Sequence, residues 1–433
     1  MNKMKKVLLI GVLLLSSVLL FACSNNKSTT DTKKDSQQDT QTEITVTTVA
    51  TQAVVPTEAL EVTQAPVVTE APTSLSDADA QDPANWSNDM KEMRDISAVD
   101  LVKEMKIGWN LGNTMDANGA ATVMAETSWG NPKTTKKLID DVKSAGFNTL
   151  RVPITWQPHL GVAPDYTIDP AWLDRVQEIV NYAIANDMFV IINAHHEDWY
   201  FPSYDNAATA KDMLAKVWKQ IADRFESYDE HLIFEGMNEP RQKGTANEWN
   251  GGNAEGWDVV NQLNTVFVDT IRSAGGNNPL RNLMIMPYAA SSSTNAWSTF
   301  NIPKDDKLII SIHAYTPYNF ALNKTGTADW SATTANDTAD IDNLMRNLDQ
   351  QFISKGYPVI LGEFGAMDKN GNDAARAAWA EYYVSKAKEK GIPCIWWDNG
   401  AFYGSGELFG LLDRLYYKWN YPEVLDALMK GAQ

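Results

Sequence analysis

Eight short apolar runs recur along the chain, and their spacing constrains the fold more than any other feature. They are KIGWNLGN (106–113), NTLRVPITW (148–156), MFVIINAHH (188–196), HLIFEGMNEP (231–240), NLMIMPYA (282–289), KLIISIHAYTP (307–317), YPVILGEFGA (357–366) and IPCIWWDNG (392–400). Each has the length of a strand. Their apolar parts are continuous rather than alternating, which suits strands buried on both faces. Segments with helical period lie between most of them. In WLDRVQEIVNYAIANDM, the residues Trp172, Leu173, Val176, Ile179, Val180, Ala183 and Ile184 form one stripe. KLIDDVKSAGF, MLAKVWKQIADRF, VVNQLNTVFVDTIRSAGG and AWAEYYVSKAKEKG read the same way. Strands alternating with helices imply a parallel sheet covered on both faces. Eight such units predict a closed (β/α)8 TIM barrel. The fifth unit is the weak one, because SSTNAWSTF makes a poor helix. A doubly wound open sheet is the alternative topology.

Within each run the apolar residues come first and the polar ones last. Asn193, His195 and His196 end the third run, Asn238 and Glu239 the fourth, and His313 and Tyr315 the sixth. Glu363 falls near the end of the seventh, Trp396, Trp397, Asp398 and Asn399 end the eighth, and Arg151 comes from the second. In (β/α)8 barrels the C-terminal ends of the strands carry the active site. Strand parity then sorts the list, because alternate side chains share a face. Ile233, Glu235, Met237 and Glu239 should point one way, with Glu235 a layer deeper than Glu239. A buried carboxylate needs a cation or several donors. Glu235 is therefore read as structural, bracing Arg151, and Glu239 as the group at the rim. His313 and Tyr315 share a face; Trp396 and Trp397 do not, and Trp397 is chosen as the inward one. Adjacent His195 and His196 should face opposite sides. No ligand cluster with zinc spacing accompanies them, so no metal or cofactor is expected. His231 opens a strand at the opposite end and reads as structural, and His159 reads as a surface loop residue.

The N-terminus has a different texture. MNKMKK followed by VLLIGVLLLSSVLLFA resembles a signal peptide over 1–22, and LFAC ends in Cys23 as a lipobox does. Residues 23–85 would then form a lipidated, disordered Thr/Pro-rich tether: from Ser24 to Asn85 there is no aromatic residue and no Gly, and VPTEA, VTQAP and VTEAP repeat imperfectly. The catalytic barrel would occupy 86–433, held at the outer face of a bacterial cell membrane. The only other cysteine, Cys394, sits in an apolar run, so the fold must hold without a disulfide. A net charge of −18 argues against nucleic acid as the main partner. Fifteen tryptophans offer faces on which sugar rings stack. A monomer is the default state.

Two carboxylates, an arginine, histidines and aromatics at one barrel mouth fit glycosidic bond hydrolysis, in which one carboxyl group donates a proton and the other attacks the sugar or activates water. Arg151 and Tyr315 are placed to hold Glu363 ionised as a nucleophile. Glu239, in less cationic surroundings and facing a negative Glu363, is expected to stay protonated as the acid, with His313 tuning it. Asn238 would bond a sugar hydroxyl and Trp397 would floor the site.

The ordered set GWNLGNTMDA, RVPITW, NAHHE, GMNEPR, HAYTP, GEFGA and WWDNG resembles glycoside hydrolase family 5, and within it the clostridial- and rumen-type endoglucanases. The resemblance spans nearly all of 86–433. It implies a retaining endo-β-1,4-glucanase, with Glu239 as acid/base and Glu363 as nucleophile. Arg151, His195, Asn238, His313, Tyr315 and a tryptophan of WW match the family's other pocket residues, and His196, Asn110 and Trp129 are further subsite-lining candidates. Xyloglucan, mixed-linkage glucan, xylan or mannan is the alternative substrate for the same catalytic set. A tethered sugar-binding protein for uptake is the alternative of another class, and it has no need of paired glutamates.

Overall fold

The computed structural model describes residues 90–433. The segments read as a signal peptide and a tether, with Cys23 between them, lie outside the described residues. Eight parallel strands close into a barrel in chain order: β1 (Ile107–Leu111), β2 (Thr149–Val152), β3 (Phe189–Asn193), β4 (Leu232–Glu235), β5 (Leu283–Ile285), β6 (Leu308–His313), β7 (Val359–Phe364) and β8 (Cys394–Asp398). Closure is made by β1 against β8, with Ile107 opposite Cys394 and Leu111 opposite Asp398. The open-sheet alternative is thereby excluded. Cys394 is buried and unpaired, as its apolar run implies.

The predicted stripes become helices on the outside of the barrel. After α1 (Ala98–Glu104) come α2 (Lys136–Ser144), α3 (Pro170–Ile184), α4 (Tyr204–Arg224) and α5 (Ala254–Arg272). Their starts follow capping chemistry: the Thr135 side chain accepts from Leu138 N, Asn253 accepts from Gly256 N, and Asp169 precedes Pro170 at the first helical position. The weak fifth unit has a physical outcome. β5 is three residues long, and the helix after it, α6 (Thr294–Trp297), is a single turn. A short α7 (Tyr318–Ala321), then α8 (Ala335–Gln351), α9 (Asp373–Lys388) and α10 (Pro422–Ala432), complete the ring.

Alternation along the strands divides the core in two. Val190, Ile192, Phe234, Ile310, Leu361 and Trp396 face the helices in the larger cluster. Ile191, Ile233, Met284, Ile309, Ile360 and Ile395 fill the barrel interior, where Leu101, Val102 and Met105 of and beside α1 join them. This apolar layer plugs the N-terminal half of the barrel. Above it the inward positions turn polar: Asn110 lies opposite both Arg151 and Trp397, and Asn193 opposite Glu235. The polar layer is the base of the site.

Candidate functional site

Arg151 is the centre of that layer. Its guanidinium is fully buried and reaches four neighbours with hydrogen bonds: Nε donates to Glu235 Oε2 at 2.8 Å, one terminal nitrogen to Asn110 Oδ1 and Glu363 Oε1 at 2.9 Å, and the other to Asn238 Oδ1 at 2.8 Å. Glu235 also accepts from Ser311 Oγ at 2.6 Å and Asn193 Nδ2 at 3.1 Å. It is the structural carboxylate its parity implies, neutralised and bonded on both oxygens. Asn110 lies beneath the groove rather than along it. It is fully buried, and its Nδ2 faces the carbonyls of Gly362, Ile395 and Trp396.

Glu363 rises above this layer. Its Oε1 faces Arg151, and its Oε2 accepts from the Tyr315 hydroxyl at 2.9 Å. Strict alternation from the inward Ile360 would turn Glu363 outward. Register shifts on both sides of β7 re-aim it, so that Glu363 pairs with His313 while Phe364 pairs with Trp396 in the outer core. The signal in sequence is Gly362, a glycine inside a strand.

Glu239 lies past the end of β4, where parity no longer holds. Met237, predicted to share its face, belongs to the outer core, while Asn238 and Glu239 both reach the pocket. Glu239 Oε1 is 2.8 Å from His313 Nδ1, and Arg241 approaches Oε2 at 3.4 Å and donates to the Glu239 carbonyl at 3.0 Å. Glu239, His313 and Glu363 each present an atom within 4.8 Å of the others. Burial pushes the Glu239 carboxyl up, but the hydrogen bond and charge of His313, with Arg241, outweigh it and bring the carboxyl below its ordinary value. His313 moves the other way: burial opposes its charge, yet the Glu363 and Glu239 carboxylates hold its proton. The expectation of less cationic surroundings for Glu239 is therefore overturned. The resting proton of the pair sits on the His313 side. Nδ1 is the ring nitrogen that faces Glu239, and Arg151 lies 3.5 Å from Nε2 on the other side of the ring.

The remaining candidates divide. Asn238 turns its Oδ1 to Arg151, which leaves Nδ2 as the donor for a ligand. His195 is buried, and burial with the positive charge around it holds its pKa well below the ordinary value, so the ring is neutral. Asn193 Nδ2 lies 3.1 Å from His195 Nδ1, which fixes the proton on Nε2. That tautomer suits a sugar oxygen. A metal on Nε2 would instead require Nδ1 to donate. His196 is half-buried beside Trp129, with ring centroids 5.6 Å apart, and burial brings it down to about 4. The indole of Trp397 lies parallel to His195 at 5.9 Å, while Trp396 is buried among Phe364 and Trp379. Gly112 lets that indole lie close, since a Cβ there would sit 2.9 Å from it. Asp398 does not reach the pocket; it accepts from Trp109 Nε1 and the amides of Leu411 and Leu412. His159 is buried and stacked on Trp172 at 3.9 Å, so its reading as a surface residue is corrected. His231, at the far end, bonds Asp229. Arg241 is the pocket residue that parity missed, although it stands in the NEPR motif.

Most of the tryptophans are core. Among those described, Trp129 and Trp249 are the exposed ones. The exposed aromatics Trp129, Tyr204, Trp249, Tyr318, Tyr403 and Tyr416 all follow a strand C-terminus rather than an N-terminus. The mouth of the barrel is thus rimmed with rings.

A (β/α)8 barrel with two facing carboxylates at its C-terminal mouth, one braced by arginine and tyrosine and one on a histidine, has the architecture of a glycoside hydrolase. Residues 115–403 match the cellulase family, glycosyl hydrolase family 5. The chain belongs to that family. Endoglucanase A of Ruminococcus albus is 49% identical over 346 residues, 79% of this chain and 94% of that protein. Endoglucanase B of Neocallimastix patriciarum is 50% identical over 349 residues, 79% of this chain and 73% of that protein. Among solved structures, the GH5-4 broad specificity endoglucanase from Ruminococcus champanellensis with bound cellotriose matches with a TM-score of 0.76 at 51% identity, over 78% of this chain and all of that one (100%).

Proposed function

We propose that this enzyme is a retaining endo-β-1,4-glucanase in which Glu363 is the nucleophile and Glu239 the acid/base. One observation carries the reading: the Glu239 and Glu363 carboxylate oxygens approach within 4.8 Å across the mouth. So close an approach is what the retaining class calls for, with about 5–5.5 Å between carboxyl groups, whereas inverting enzymes hold theirs ~6.5–9.5 Å apart to leave room for a water. Glu363 attacks the anomeric carbon as the glycosidic bond breaks, and the leaving oxygen takes a proton from Glu239. Water then attacks the same carbon, gives its proton to Glu239, and releases Glu363. Arg151 and Tyr315 hold the two Glu363 oxygens and aim them at the sugar. His313 supplies the Glu239 carboxyl with its proton through the 2.8 Å contact. Asn238 Nδ2 and His195 Nε2 donate to sugar oxygens, Trp397 receives the ring, and His196 and Trp129 line the groove beyond.

Glu363→Gln and Glu239→Gln should each cost at least ~10³-fold in kcat on a soluble β-glucan with the fold intact, as loss of a catalytic group does. Nuclear magnetic resonance of early products should show retained anomeric configuration. Inverted products, or either variant keeping near-full turnover, would refute the assignment. Rapid loss of carboxymethyl-cellulose viscosity with few reducing ends would mark internal cleavage. Rates on xyloglucan, lichenan, xylan and mannan beside it distinguish the alternative substrates.

The LFAC lipobox and the Thr/Pro-rich stretch after it support a second part of the reading: lipidation at Cys23 and a tether over 23–85 that holds a monomeric catalytic unit, 86–433, at the outer face of the cell membrane. Radiolabelled palmitate should enter the wild type and not Cys23→Ser, and the variant should leave the membrane fraction. Equal labelling of both would end this part.

A further inference from the structure

The acid/base does not stand alone on its side of the groove. We propose that Arg241 and Trp249 form one leaving-group unit: the guanidinium positions Glu239 and backs the indole, and the open face of the indole receives the departing sugar. This rests on the reading of Glu239 as the acid, because an acid must face the oxygen that leaves. Arg241 holds Glu239 by its carbonyl at 3.0 Å and its carboxylate at 3.4 Å. The same guanidinium lies 4.0 Å from the ring centroid of Trp249, a stacked cation–π contact. Trp249 is 64% exposed, the more open of the two exposed tryptophans described.

That exposure is not looseness. The loop carrying the indole is tied down at several points. Glu248 takes Arg241 Nε at 3.3 Å on one oxygen and Gly244 N at 2.8 Å on the other. The Tyr288 hydroxyl accepts from Gln242 N at 2.8 Å and donates to the Asn247 carbonyl at 2.9 Å. A large apolar ring held in place, one face covered by a cation and the other open, offers a flat platform beside the acid. A pyranose on a β-glucan has the flat C–H face that stacks there.

Leaving groups separate the two roles. With cellopentaose the departing group is a sugar that needs both a platform and a proton. With 2,4-dinitrophenyl cellobioside it is an aryl oxide that needs neither. Trp249→Ala should raise KM for cellopentaose about tenfold, the worth of an aromatic contact, and leave the aryl substrate unchanged. Arg241→Gln should lower kcat/KM on cellopentaose about 10²-fold, within the range of lost acid assistance, and spare kcat/KM for the aryl substrate, whose departure needs no acid. Arg241→Lys, which keeps the charge without the flat face, should recover part of that kcat/KM. The unit is refuted if Trp249→Ala leaves KM for cellopentaose unchanged, or if either variant lowers kcat/KM for both substrates alike. Glu239→Gln, measured in parallel, tests the underlying reading. If it keeps its turnover on cellopentaose, the acid assignment fails with the unit; if it loses turnover while Trp249→Ala does nothing, the unit alone fails.

Discussion

Arg151 concentrates more of the site's physics than any other side chain. It is a fully buried cation between two carboxylates, Glu235 below at 2.8 Å and Glu363 above at 2.9 Å. Removing one partner of such a network leaves uncompensated charge in a low-dielectric interior. Arg151→Met should therefore cost about 3–5 kcal/mol in urea unfolding, besides abolishing activity. Arg151→Lys restores a charge but not the fork that reaches Glu235, Asn110, Glu363 and Asn238 together. It should recover most of the stability and little of the kcat. Equal recovery of both would mean that charge alone, not the fork, positions Glu363. This much was legible in the sequence. Arg151 and Glu235 sit within strands, where two-residue periodicity is enforced by the sheet; Glu363 was legible from its place near the end of its strand and not from parity. Arg241 was not legible, because it lies beyond the last paired residue of β4, where loop geometry decides direction. The protonation of Glu239 was misread for the same reason: its cations come from a neighbouring strand and from its own loop, and neither is visible as spacing.

At the scale of elements, the bulge in β7 does what the other strands do not. It turns an outward position inward at the height of the chemistry. Gly362 permits this, since a Cβ there would lie 3.0 Å from Ser311 Oγ and 3.1 Å from His313 Nε2. Both neighbours have work to do: Ser311 bonds Glu235, and His313 bonds Glu239. Gly362→Ala should thus cost about 1–3 kcal/mol of stability as a small overpacking. It should also lower kcat more than that loss explains, because the imidazole must move. A variant with reduced stability and unchanged kcat would show that the pocket tolerates displacement of His313. Regular elements were legible in advance from period and length. The bulge was marked only by a glycine, and the shortness of β5 only by the poor helix that follows it.

The whole molecule separates chemistry from stability along the barrel axis. The C-terminal mouth carries the charged network and the exposed aromatics; the other end is closed by α1 and its apolar contacts. His231 belongs to that second end. It opens the β4 run, stacks on Phe189 at 5.0 Å and bonds Asp229 at 3.1 Å, with Asp187 at 3.6 Å. The Asp229 hydrogen bond raises the His231 pKa above its ordinary 6.5 despite partial burial. Burial pushes Asp229 up, but the histidine outweighs it and lowers the carboxyl below 3.8. The histidine's contribution is therefore fully present below pH 6.5, and it is lost as the pH rises through the raised value of the folded state. The aspartate's is present above pH 3.8 and lost as the pH falls through its lowered value. The pair stabilises most between these limits. Against His231→Gln, the wild type should be more stable by about 0.5–1 kcal/mol at mildly acid pH, a surface-pair magnitude, with the gap closing as the pH rises through the raised value of the folded state. Thermal unfolding of both proteins across that range measures the gap, and kcat/KM on a β-glucan should be the same for both throughout. A constant gap would mean that His231 acts by packing on Phe189 rather than by charge. A parallel change in kcat/KM would mean that the two ends of the barrel are coupled.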